Sequence, residues 1–413
     1  VHQVDGDSPL LELVADRLQQ RDRPGHVDVP LLQHSERIGP LVVVGVERQE
    51  VVHLDRTLSQ RTLEQALDDL RRDRTTFVIA HRLTTVRDAD LVIFMDGDFV
   101  YHPGLVRKCA PLFACDPSLH ALTTDEHVIV KGPWWMQSWL DMRFAQRRIA
   151  MQSHALSGRV LTLTGRCSLF RAEHILSEEF IRLQEADFLD HWLWGKFRFL
   201  SGDDKSTWYT LLKYGVKMTY VPDASGTTIE VVEGSGTKRM VENLRRWSGN
   251  MLRNGYRAIM LGPTRMPFFI WWCCVDQRLA MWTMLFSPML AIAGTIKIGA
   301  VFMLAYAVYI AVTRMLLSLV LFTYARRVDL NYVWCLYSNQ LLNAAVKVYM
   351  MWRLAKQKWA NRGNQKAGFS GNSLLATARE WMATYLTMLS FAALFLCVMV
   401  YTKLLETPTW SLV

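Results

Sequence analysis

The hydrophobic pattern divides the chain in two. Across residues 268–322, and again across 381–401, apolar side chains run almost unbroken, with isolated polar positions such as Asp276, Arg278, Lys297 and Arg314. Each run holds one or more helices of about 20 residues, the length that crosses the hydrocarbon of a bilayer. The pattern predicts an interfacial helix near 267–275 and spans near 279–296, 300–322 and 382–402. Residues 333–352 read as either amphipathic or spanning.

Before residue 267, short apolar runs alternate with helical patterns. Strands are predicted at 41–45, 76–80 and 91–95, with a charged helix at 61–74. Helical and extended patterns alternate between 101 and 187, including an aromatic amphipathic helix at 134–152 and an extended segment at 160–170. Residues 189–199 are rich in Trp and Phe and read as packing. A strand at 217–221 and a helix at 242–257 lead towards the apolar region. The strand at 91–95 delivers Asp96 and Asp98 at its carboxyl end, where open α/β sheets bind ligands.

Composition sharpens this picture. The chain has 413 residues, enough for more than one structural unit. Its 51% hydrophobic content sits beside 21% charged residues because the two are segregated along the chain. A net charge of +9 is compatible with nucleic acid, an anionic membrane or acidic substrates. Basic residues gather at Arg326-Arg327 and across 353–358, beside the apolar segments. That placement favours a membrane protein, with the basic residues at 353–358 and the catalytic domain in the cytoplasm, over a nucleic-acid binder or a soluble protein with buried helices. The seven cysteines include Cys273-Cys274 but no C-x-x-C spacing, so neither a disulfide framework nor a zinc site is indicated. The sequence opens on Val1 without a secretory leader and reads as a fragment or a chimaeric or frameshifted start.

Three clusters carry candidate chemistry. In Asp96-Gly97-Asp98 the glycine permits a tight turn that aims both carboxylates at one oxygen-rich ligand, such as Mg2+ or Mn2+ with a diphosphate; a solvated turn is the plain alternative. Asp203-Asp204 supplies a base for an acceptor hydroxyl, with Asp204 preferred and Asp203 orienting its neighbours; a helix-capping pair is the alternative. Arg246 can stabilise phosphate charge and Trp247 can pack on a sugar ring, whereas at a membrane interface the same pair would snorkel. Thr124-Asp125-Glu126 reads as a donor or metal contact through Asp125, or as a surface acidic turn. Thr164-Gly165-Arg166 reads as an acceptor contact, with Arg166 pairing an anionic sugar, or as a turn between strands. His191 and Trp192 read as packing, and His154 as structural or exposed.

Longer stretches carry a resemblance. "MDGDF", "ALTTDE", "RFAQR", "MQSHALS", "VLTLTGR", "FLDHWLWGKFRFLSGDDKSTW", "YVPDA", "RWSGNMLRNG" and "FFIWWC" resemble processive family 2 glycosyltransferases, the group of cellulose, chitin and hyaluronan synthases, and within it the alginate polymerase catalytic subunits. The resemblance implies a GT-A-like α/β domain, incomplete on its N-terminal side, followed by transmembrane helices. It also implies β-1,4 transfer of mannuronate from GDP-mannuronic acid to polymannuronate. Asp96 and Asp98 match the metal and diphosphate positions and Asp204 the base. Arg246 and Trp247 match the end of a Q-x-x-R-W motif whose glutamine is Asn243 here. The implied setting is the bacterial inner membrane, with a partner that binds cyclic-di-GMP and a periplasmic export apparatus. Another processive β-glycan synthase, an inactive membrane scaffold and a truncated product are the competing readings.

The N-terminal side departs from that pattern. "TTFVIAHRLTTVRDADLVIFMDGD" resembles the switch-histidine region of an ABC-transporter ATPase, with His81 at the switch position, yet the phosphate-cradling G-x-x-x-x-G-K-[ST] loop and the L-S-G-G-Q motif are absent. The expected divisions are an anomalous segment at 1–57, an ABC-like remnant at 58–90, a catalytic region at 91–262 and a membrane region at 263–413.

Overall fold

The computed structural model describes residues 41–46, 77–79, 89–185, 187–199, 203–325, 327–359, 365–367 and 374–406. The predicted helix at 61–74, His81 and Arg326 lie outside them. A seven-stranded mixed sheet organises the first half, in the order β2 (Phe77–Ile79), β1 (Leu41–Val46), β3 (Leu91–Asp96), β6 (Cys167–Arg171), β5 (Leu119–Lys131), β9 (Lys217–Val231) and β4 (Phe99–Tyr101). β1 pairs in parallel with β2 and β3, whereas β6 runs antiparallel to both β3 and β5. Leu91, Val92 and Ile93 are all buried, the unbroken apolar run of a strand covered on both faces.

β5 and β9 form the longest pairing, parallel with a register break between Thr124 and Asp125. Pro222, Asp223 and Ala224 fall in that break, which is why β9 continues to Val231 although Pro222 reads as the end of a strand. β4 pairs antiparallel with the far half of β9. A Cβ on Gly226 would lie 2.1 Å from the Phe99 ring. Glycine at 226 therefore lets the residue after Asp98 seat against the sheet.

The segment predicted as extended at 160–170 is a strand only from Cys167. Its earlier part is tied by side chains instead of a ladder. Trp208 Nε1 donates to the Val160 carbonyl at 2.6 Å, Lys205 Nζ donates to the Leu161 carbonyl, and Thr164 Oγ1 accepts from the Arg166 amide at 3.1 Å.

Helices α1 (Leu105–Cys115), α2 (Trp134–Ala155), α3 (Ala172–Ile175), α4 (Glu178–Glu185) and α5 (Asp203–Lys213) connect the strands, and β7 (Asp187–His191) with β8 (Gly195–Phe199) makes a separate hairpin. The aromatic stretch at 189–199 packs as expected, with Leu189, Leu193, Trp194 and Phe197 buried. α6 (Gly236–Leu261) begins at Ser235, whose side chain accepts from the Lys238 amide at 3.4 Å, and stops at Gly262, with φ +79°.

α7 (Phe268–Ile298), α8 (Ala300–Phe322) and α10 (Leu374–Tyr401) are long and apolar enough to cross a membrane, with mean hydropathy 1.6, 1.9 and 2.1. α7 is one continuous helix, not an interfacial helix followed by a span. Arg278 does not interrupt it, because its Nη2 donates to the Leu252 carbonyl of α6 at 2.5 Å. α9 (Tyr332–Met351) is not among the three. β10 (Gln357–Trp359) and β11 (Gln365–Ala367) pair as a short hairpin between α9 and α10.

Two apolar clusters hold these parts together. One joins Val92, Phe170, Trp208, Leu212 and Met218 beneath the sheet. The other joins Trp139 of α2, Trp194, Leu244 of α6, and Leu336 and Met350 of α9, fastening the membrane-side helices to the sheet domain. Burying a large side chain of this kind contributes about 1.5–3 kcal/mol.

Candidate active site

The carboxyl end of β3 sets the site. Asp96 is its last residue and half-buried, Gly97 and Asp98 form the following turn, and Asp98 is exposed. The Asp96 amide donates to the Arg166 carbonyl at 3.2 Å, and the Asp98 carbonyl accepts from the Ile229 amide at 3.4 Å. The turn is thereby pinned on both sides, to the segment before β6 and to β9.

Glu126 on β5 is the buried anchor of the site. Its side chain has no exposed surface and accepts from Arg147 Nη1 at 2.5 Å, Arg166 Nη1 at 2.7 Å and the Thr164 hydroxyl. Burial alone would raise its pKa, but Arg147 and Arg166 outweigh burial and hold it at about 2. Arg166 is half-buried and partial desolvation opposes its charge, yet Glu126, followed by Asp96 and Asp98, pushes its pKa upward. Glu126 therefore locks a permanent cation beside the two aspartates at the strand end. Thr164, Gly165 and Arg166 wrap this locus, and the Arg166 guanidinium also sits 5.3 Å over the Phe144 ring.

Asp125 is neither a surface turn nor an open ligand. It is buried on β5, and its two oxygens accept from Tyr220 Oη at 2.6 Å and Arg148 Nη2 at 2.5 Å. Arg148 also donates to the Tyr324 carbonyl beyond α8, so Asp125 ties the sheet to a membrane-side helix. A carboxylate with both oxygens engaged by the protein is a poor partner for a metal. Asp96 and Asp98, hard oxygen donors at an accessible strand end, fit a divalent cation such as Mg2+ or Mn2+.

Asp203 and Asp204 are the first two residues of α5. The next residue, Lys205, is bound to the Leu161 carbonyl, three positions before Thr164. The helix start and the Thr164–Arg166 wrap are thus joined locally. On α6, Asn243 is buried and accepts from Arg246 Nη2 at 3.5 Å. Trp247 stacks on Trp139 with ring centroids 6.0 Å apart, and the Arg143 guanidinium lies 4.7 Å over Trp247. His154 is buried, and burial followed by Lys205 lowers its pKa to about 4. His191 stacks on Trp192 with ring centroids 5.9 Å apart, and Trp192 itself is exposed.

Glu126, Arg143 and Arg147 escaped the choice of site residues. The available signal was Arg143 and Arg147 at i and i+4, which places two cations on one face of α2.

The family description "Glycosyltransferase like family 2" matches residues 42–250, just over half of the chain and the whole region that carries this locus. The chain belongs to glycosyltransferase family 2. Among curated relatives, the glycosyltransferase alg8 of Pseudomonas syringae pv. tomato is 42% identical over 276 residues, covering 67% of this chain and 56% of that protein. The glycosyltransferase alg8 of Azotobacter vinelandii is 40% identical over 300 residues, covering 71% of this chain and 59% of its own length. The chain thus spans little more than half of these family 2 relatives. A separate match of 42 residues, 69% identical, is to the β-(1→2)glucan export ATP-binding/permease protein NdvA of Mesorhizobium japonicum, covering 10% of this chain and 7% of that one. With its three apolar helices, this family 2 member is a membrane-associated protein.

Proposed function

We propose that this chain is an inverting, processive glycosyltransferase. It transfers mannuronate from GDP-mannuronic acid to a growing β-1,4-linked polymannuronate, the precursor of alginate, at the bacterial inner membrane. The supporting observation is Arg166, locked by Glu126 beside Asp96 and Asp98 at the end of β3. The identity of 40–42% with two alginate-type relatives directs the choice of sugar.

In this reading Asp98 and Asp96 hold a divalent metal, which supplies charge neutralisation to the leaving diphosphate. Arg166 and Arg246 add fixed positive charge to that region. Asp204 takes the proton from the acceptor hydroxyl and Asp203 orients its surroundings. Asn243 steadies Arg246 through its amide, with a shorter reach than glutamine, and Trp247 offers its face to a sugar ring. Asp125 acts as a brace for β5. The region at 91–262 is catalytic, residues 263–413 form the membrane region, and the basic loop at 353–358 shares the cytoplasmic side with the catalytic region. A cyclic-di-GMP-binding membrane partner and a periplasmic export apparatus complete the setting.

Donor preference tests the reading against another β-glycan synthase. GDP-mannuronate is expected to support polymer formation in membranes carrying this chain, and UDP-linked neutral sugars are not; incorporation of a neutral sugar in its place would overturn the assignment. Asp98→Ala is expected to weaken metal-dependent donor binding by more than about tenfold, the lower end of losses on disturbing even the outer contacts of a metal site. Titrating donor at fixed Mn2+ measures it. Arg246→Ala is expected to lower kcat by about 100-fold, as for removal of one donor to developing charge, with little change in melting temperature; unchanged turnover would remove Arg246 from the diphosphate.

A further inference from the structure

A cavity of about 350 Å3 lies between α2, α7 and α9. That volume is at the small end of binding sites, which run to about 1,000 Å3. Its polar wall carries three cations, Arg143, Arg147 and Lys347, with the amides of Asn339, Gln340 and Asn343; none of the described lining residues is acidic. Met281 and Met284 of α7 close the opposite side.

The cations are poorly neutralised. Arg147 gives Nη1 to Glu126, whereas its Nη2 is buried with no hydrogen-bond partner. Arg143 donates to Asn339 Oδ1 at 3.0 Å, and burial presses its pKa down to about 10. Lys347 reaches the Gln277 carbonyl at 3.5 Å, and burial, then the Arg143 charge, presses its pKa down to about 8 against the smaller pull of Asp276. Buried Gln340 Oε1 also has no partner. Desolvated cations facing a cavity are costly unless an anion enters it.

The cavity adjoins the candidate active site. Arg147 touches both the cavity and Glu126, and so connects it to Arg166. Trp247 lies under Arg143, and its neighbour Ser248 donates to Asn343 Oδ1 at 3.3 Å. Guanidinium groups bind carboxylates in pairs of hydrogen bonds, and amides serve hydroxyls. A carboxylate-bearing sugar offers both partners.

We propose that this cavity is a uronate-reading subsite, in which Arg143, Lys347 and the free edge of Arg147 pair with carboxylates of the leaving glycan and favour an acidic chain over a neutral one. The inference rests on the proposed transfer reaction for its position but is tested without turnover. The probes are a β-1,4-linked mannuronate hexamer and its neutral mannose counterpart, titrated into the full chain in nanodiscs without donor. The acidic hexamer is expected to bind tighter by about tenfold or more, the scale of one charge-assisted hydrogen bond. Arg143→Gln with Lys347→Gln should erase the preference, whereas Arg143→Lys with Lys347→Arg should keep part of it and control for folding. Equal binding of both hexamers by the unmodified chain, or an unchanged preference in a folded glutamine variant, overturns the subsite. Should the glutamine pair not fold, Lys347→Gln alone is read in the same way. Polymer formation from GDP-mannuronate, measured separately, reports on the transfer reaction, so the two can fail independently.

Discussion

Asp204→Asn is expected to lower mannuronate transfer by about 100- to 10,000-fold, the range contributed by a positioned general base, while leaving donor binding nearly unchanged. Asparagine keeps the size of aspartate and is equally at home at a helix start, so α5 retains its N-terminal turn. The contacts that seat α5, from Lys205 to the Leu161 carbonyl and from Trp208 to the Val160 carbonyl, do not involve residue 204. What is lost is the ability to accept a proton. Initial rates with GDP-mannuronate, paired with calorimetric donor affinity, separate the two effects. Equal rates in both proteins would take the base role away from Asp204, and a matching loss of donor affinity would make it a donor contact.

Glu126→Gln is expected to destabilise the chain by about 3–5 kcal/mol, the cost of removing one partner from a buried ion pair, and to depress transfer as well. The substitution leaves Arg147 and Arg166 facing a neutral amide at a side chain with no exposed surface. The pH dependence gives the effect a signature. Glu126 has a folded pKa of about 2 against an ordinary 4.5, so its contribution is fully present above pH 4.5 and is lost as the pH falls towards 2. The difference in stability between unmodified chain and Glu126→Gln should accordingly be largest above pH 4.5 and shrink below it. Denaturant titrations in detergent from pH 6 to pH 3 measure this. A gap that is constant across that range would mean that Glu126 is not held ionised by the two arginines.

The strand ending in Asp96 and the apolar spans were legible because their signals are local. Leu91 to Ile93 announce a covered strand, and α8 is apolar apart from a few positions such as Arg314. Residues whose meaning depends on distant partners were not legible. Glu126 looks like part of an acidic surface turn until Arg147 on α2 and Arg166 before β6 are brought against it. Asp125 offered itself as a ligand because Tyr220 and Arg148 could not be seen closing on it. The second half of β9 was hidden by Pro222, which sits harmlessly in the register break. Asp276 and Arg278 suggested an interfacial boundary within α7, whereas α6 accepts the Arg278 guanidinium and the helix runs through.

The most direct test is polymer formation from GDP-mannuronate in inner-membrane vesicles that contain this chain with its cyclic-di-GMP-binding partner and cyclic-di-GMP, beside vesicles carrying Asp204→Asn. Polymannuronate made by the unmodified chain and absent with Asp204→Asn is the expected result. No polymer from correctly inserted chain, alongside an active alginate-type relative in the same preparation, would contradict it.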